Sequence, residues 1–251
     1  RAADLIRAGR AQEALYELPT LVYQMSAEVD VHDPPVLSLL GNETDAWINL
    51  AKVRINEGMP PGEALTQASR HLSAIRNRFS REPGAQLILL GADWGMGLCK
   101  LEMGPDRRAE ALKHLDQAAG TLQNIVQRGS SWPAFRVRLA RIHRLRAHTL
   151  FDLGNTESAH DVLQTALQLH AALPPSLADH SRVIVLGCEL RIEQLHQQEA
   201  ALSHDISVLN SDLEILRQRG VGSPILKQIE HDIAQLQTRA GATDPVGALP
   251  K

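Results

Sequence analysis

Aromatic residues make up only 3% of this 251-residue chain, which holds three Trp, two Tyr and three Phe. So few rings leave little for stacking on bases, and with a net charge of −3 the composition disfavours a nucleic-acid partner. The two cysteines exclude a disulfide-dense scaffold. No uninterrupted apolar run approaches the roughly 18 residues that a membrane span needs, and no signal-peptide pattern opens the chain. Long β-branched runs are almost absent, Val183-Ile184-Val185 being the longest, in a context with a period of 3.6. Motifs of chemistry are missing as well. There is no His-Glu-x-x-His, no Cys-x-x-Cys, no Gly-x-Gly-x-x-Gly, no phosphate loop and no Gly-x-Ser-x-Gly.

What is present is helix-forming: Ala, Leu, Gln, Glu and Arg dominate, and 43% of residues are hydrophobic. This predicts an all-α fold with far more helix than the roughly one-third typical of globular proteins. Gly and Pro punctuate the chain into helix-sized blocks. Helices are expected from Glu43 to Glu57, onward from Gly62 to about Ser80, from Ala85 to Met103, from Asp106 to Arg128, up to Leu153, and from Thr156 to about Ala172. Arg1 falls inside the helix-like stretch 1–8, so the sequence reads as a piece of a longer protein.

The blocks repeat. Ala14, Ala64, Ala111 and Ala159 open successive second helices at spacings of 50, 47 and 48 residues, each preceded by a helix-ending glycine at Gly9, Gly58, Gly104 or Gly154. Two helices per period of this length are a solenoid signature, because each hairpin needs a neighbour to cover its apolar face. The stretch Ala147-x-x-Leu150-x-x-x-Gly154-x-x-x-x-Ala159-x-x-x-Leu163-x-x-Ala166 resembles a tetratricopeptide repeat. Trp47, Leu50, Ala51 and Gly58 supply the other half of that pattern. Ala111, Leu115 and Ala118 keep it in a unit whose turn is two residues longer. Small residues at Ala14, Ala51, Ala64, Ala111, Ala118, Ala147, Ala159 and Ala166 let paired helices approach, with Trp47 filling and Gly154 ending a helix.

A standard repeat of that family has 34 residues, and these are longer. They resemble the roughly 50-residue variety common in bacterial signalling proteins, often beside a serine/threonine kinase domain. The resemblance implies a right-handed α-solenoid of TPR-like hairpins over 1–172, with a degenerate fifth hairpin and a capping helix over 173–240 and a loose tail over 241–251. It also implies a protein-interaction or sensing region whose concave face holds a protein or peptide. The compartment would be the cytoplasm or, for a membrane kinase, the periplasm. In such a stack Cys99 and Cys188 lie on helices too far apart to bond, since hairpins stack at about 10 Å and a disulfide needs a Cα separation of roughly 4.4–6.8 Å.

The alternative is a structural module. Cys188, Ile192, Leu195, Leu202, Ile206, Leu209, Leu213 and Leu216 keep a 4-3 spacing, suited to one long coiled-coil helix that makes a homodimer through 188–216. An all-α enzyme is the remote third reading, with no catalytic, metal or cofactor residues to name. Gly91-Ala-Asp-Trp-Gly95-Met-Gly97 lies inside a helix and reads as a close-packing surface. His196 and Glu199 are spaced to share a metal, but no second pair accompanies them.

Charge is unevenly spread. Residues 1–65 hold five basic and ten acidic side chains, 66–150 hold fourteen and six, and 151–251 hold seven and thirteen. In the basic third, Arg136, Arg138, Arg141 and Arg144 share one helix and form the candidate surface for an acidic peptide or phosphorylated segment. For that role Arg138 and Arg141 should be exposed and free of internal carboxylates. Solvation, or pairing within the chain, is the competing reading.

Overall fold

The computed structural model describes residues 34–79, 82–128, 132–197 and 203–242. Among them 88% are helical and none is in a strand. The nine α-helices are α1 (Pro34–Asn56), α2 (Gly62–Phe79), α3 (Pro83–Glu102), α4 (Arg108–Gln127), α5 (Pro133–Asp152), α6 (Thr156–Ala171), α7 (Ser181–Gln197), α8 (Ser203–Gln218) and α9 (Ser223–Ala242). Single 3-10 turns at Pro105–Arg107 and Pro175–Leu177 precede α4 and α7. The first-unit positions Gly9 and Ala14, the metal-spaced Glu199 and the tail from 243 onward lie outside the described residues.

The recurring glycines end helices by one local device. Gly58 (φ +69°) and Gly154 (φ +79°) take the left-handed conformation that a side chain would strain. That lets the following amide reach back: Met59 N–H donates to the Arg54 carbonyl (2.7 Å), and Asn155 N–H to that of Leu150 (2.9 Å). Gly220 (φ +67°) repeats the motif, with Val221 donating to Leu216. Gly104 (φ +111°) is followed by Pro105, which has no N–H to make that bond. The chain instead turns through the 3-10 segment, where Arg107 N–H donates to the Gly104 carbonyl. This is the physical reason why the third turn is longer.

The chain divides into two compact units, Arg1–Ile125 and Val126–Lys251. In the first, α1, α2 and α3 pack on one another around Ala46, Ile48, Ala51, Ala64, Ala68, Leu72, Ala92 and Met96, with Trp47 half-buried against them. Helices approach closely where glycine stands. A Cβ on Gly95 would sit 2.8 Å from Ile48, and one on Gly97 3.0 Å from Leu115 of α4. These are the small residues of the segment read as a packing surface, although Gly91 meets nothing.

In the second unit α5 and α6 form a tight hairpin, and α7 is the pivot. One side of α7 packs Leu186 and Leu190 against Ala140, Ala147, Leu163 and Ala166 of that hairpin. The other joins Val185, Cys188, Ile192 and Leu195 to Ile206, Leu209, Leu213 and Leu216 of α8 and Ile229, Ile233 and Leu236 of α9. A helix covered on two sides needs apolar residues most of the way round, which explains the dense run at 183–195. The helices on either side of 172/173 thus pack on one another within this unit. α7 and α8 are separate helices that fold back on each other, which one continuous helix cannot do, and Leu195, Leu209, Leu213 and Leu216 are buried in the chain's own core, while Leu202 lies outside the described residues.

Candidate functional site

Pro133 begins α5 because its fixed φ suits the first helical position. Trp132, just outside, is extended and 68% exposed. Its ring lies 6.0 Å from that of Phe135. Helical spacing then distributes the arginines among different surroundings. Arg136 Nη1 donates to the Ala172 carbonyl (3.2 Å), capping the negative end of α6. Arg138 is exposed and has no ion-pair partner among the described residues. Arg141 and Arg144 both bring Nε to 3.7 Å from Glu189 Oε2 of α7. Arg146 Nη1 donates to His143 Nδ1 (2.9 Å).

The four candidate arginines thus do not form one free face. Arg141 and Arg144 converge on an internal carboxylate, and Arg138 alone of the four meets the expectation of exposure without such a pair. The pairing follows from helix geometry: residues three apart share a face, and for 141 and 144 that face is turned to α7.

One turn further along the same contact stands a charge pair that sequence reasoning missed, a buried glutamate against a half-exposed histidine. Glu193, 4% exposed, faces His148 Nδ1 at 3.2 Å and accepts a hydrogen bond from Gln197 (3.0 Å). His148 Nε2 lies 3.4 Å from Asp152. The Glu193 hydrogen bond raises the His148 pKa against the opposing effect of burial. Burial raises that of Glu193, but the His148 contacts outweigh it and leave the carboxyl lowered. His143, five residues earlier and on another face, is pushed down to about 4 by burial and by Arg146. The missed signal was Glu193 itself, an acid set between the apolar positions Ile192 and Leu195 of the 4-3 stripe.

Beside this pair is a cavity of about 470 Å³ between α5, α7 and α9, lined by Arg144, His148, Glu189, Glu193, His196 and Asp232 and by aliphatic side chains. His196 Nε2 is buried without a hydrogen-bond partner.

The first unit holds its own buried acid. Asp93, 1% exposed, receives Arg76 Nη2 at 2.6 Å on each oxygen and faces His114 Nδ1 at 3.0 Å. Arg76 also donates to Gln117 (2.7 Å), tying α2, α3 and α4 together. Ala51, Ala64, Ala111, Ala118, Ala147, Ala159 and Ala166, expected at helix contacts, are fully buried. Both cysteines are free and buried, and burial pushes their thiols to about 11 for Cys99 and about 12 for Cys188. They stay protonated near neutral pH, so neither is an activated nucleophile. Among the described residues no group of three potential ligands could hold a metal ion, and no helix is long and apolar enough to cross a membrane.

No family model, curated protein or solved structure matches this chain.

Proposed function

We propose that this chain is a non-catalytic protein-interaction module that takes an acidic segment of a protein partner against the head of α5. The observation that carries this reading is the exposed Trp132, paired with the Phe135 ring and followed one helical turn after Phe135 by the exposed Arg138, which has no ion pair among the described residues. Trp and Arg are the side chains that most often concentrate binding energy at protein interfaces. Trp brings large rigid apolar area, and Arg a planar fork matched to carboxylate. The excess of basic residues over 66–150 favours an acidic partner.

The spacing of Ala14, Ala64, Ala111 and Ala159 supports the finer reading of a TPR-like repeat array. By that resemblance alone the parent is a larger bacterial signalling protein, with this region as its sensor or regulatory part.

Titration with peptides carrying alternating Asp/Glu and one Leu or Phe tests the reading. Binding should blue-shift Trp emission, weaken with salt and disappear for the charge-reversed peptides. Equal binding of both charge types would reject it.

A further inference from the structure

We propose that the cavity between α5, α7 and α9 is a binding site for a small molecule bearing a primary ammonium group on a short aliphatic body. This site is separate from the Trp132 surface and stands or falls independently of it.

The charges lining the cavity are satisfied unequally. Glu189 is answered by Arg141 and Arg144. Glu193 is answered by His148, which is itself held by Asp152 on its other nitrogen. Asp232 of α9 also lines the cavity, yet it only accepts a hydrogen bond from Gln228 (2.9 Å) and has no ion pair among the described residues. His196 stands on the same wall, within reach of the Asp232 charge, with Nε2 buried and unpartnered. Burial first, then Arg239 and His148, lower its pKa against the pull of Glu193 and Asp232, so the ring is neutral at pH 7 and one of its nitrogens accepts. A carboxylate lacking a cation beside a neutral imidazole is the complement of a group with positive charge and several N–H donors. A primary ammonium supplies both.

The remaining wall sets the body of the ligand. Leu145, Ile192, Ile225 and Ile229 are aliphatic, so a short alkyl chain gains by leaving water. No Phe, Tyr or Trp lines the cavity, which removes the ring faces that best hold quaternary ammonium ions. A volume of about 470 Å³ falls within the range of small-molecule sites.

Calorimetric titration of the full chain at pH 7 with n-butylamine, tetramethylammonium and butyrate, together with His196 ring NMR shifts, tests the proposal. Butylammonium should saturate in the millimolar range set by so few non-hydrogen atoms and move the His196 signals. Tetramethylammonium should bind about tenfold more weakly, which is roughly 1.4 kcal/mol, and butyrate should not bind. Asp232 is partly exposed, so Asp232→Asn should keep the parent melting temperature while weakening butylammonium about tenfold. Asp232→Glu should retain binding. The proposal is overturned if butylammonium does not saturate, if either control binds as tightly, or if Asp232→Asn binds like the parent.

Discussion

His148 Nδ1 lies 3.2 Å from Glu193 Oε2 across the contact between α5 and α7, and the two charges stabilise each other where Glu193 has almost no access to water. The His148 pKa is raised above 6.5 in the folded chain, so its stabilising contribution is fully present below pH 6.5 and is lost as pH rises through the folded value. Glu193 is lowered below 4.5, so its contribution is present above that pH and is lost as pH falls through the folded value. His143 acts in the opposite sense to His148. Its folded pKa of about 4 means that the unfolded chain takes up a proton between about 6.5 and 4 that the folded chain refuses. That costs about 3 kcal/mol by the lower limit. NMR titration should therefore find His148 protonated and His143 neutral at pH 6. Equal titration of the two near 6.5 would contradict the geometry.

The hairpin of α5 and α6 depends on two fully buried alanines. Ala147→Leu or Ala159→Leu should overpack it and lower stability by roughly 1–3 kcal/mol, read by denaturant unfolding. Variants that unfold like the parent would mean the helices are not in close contact there.

Asp93→Ala removes the acceptor shared by Arg76 and His114 in the first unit. Arg76 is 32% exposed and recovers some hydration, so the loss should be about 3 kcal/mol, the low end for breaking a buried pair. A change below 1 kcal/mol, the range of surface pairs, would show that the pair is open to water.

How much of this was legible in the sequence depends on whether the signal was local. Helix ends were, because Gly58, Gly104 and Gly154 and the adjoining prolines act through their own backbone conformation. The observed helices α1 to α6 end within about two residues of the positions expected, in line with the usual uncertainty of helix ends. The first described helix begins earlier than Glu43, at Pro34, because Val36, Leu37 and Leu40 are held by Ile75 and Phe79 of α2. Periodicity alone does not show that contact. The arginine cluster shows the limit for sites. Spacing placed Arg136, Arg138, Arg141 and Arg144 on one helix but carries no information about which of them face another helix, and the partner of Arg141 and Arg144, Glu189, is 45 or more residues away. The 4-3 leucines were ambiguous for the same reason, since a stripe packs equally well on a second copy or on the chain's own α9.

That ambiguity has a direct check. Leu213 is 4% exposed within the cluster of α7, α8 and α9. Leu213→Lys should unfold those helices, and the parent should sediment as a monomer at every micromolar concentration. Folded monomers from the variant, with a dimeric parent, would establish the coiled-coil seam instead.

The most direct measurement of the central claim compares Arg138→Glu with Arg138→Lys for binding of an acidic, Phe-bearing peptide, alongside melting temperatures. Arg138 is exposed and has no ion pair among the described residues, so both variants should melt like the parent. Changing Arg141 as well would confuse the result, because a glutamate there would face Glu189. The account predicts that Arg138→Lys keeps most of the affinity, that Arg138→Glu loses at least about tenfold, or 1.4 kcal/mol, and that the peptide shields Trp132 from acrylamide quenching only where it binds. Unchanged affinity in Arg138→Glu, with Trp132 left open to the quencher, would contradict an interaction surface at the head of α5.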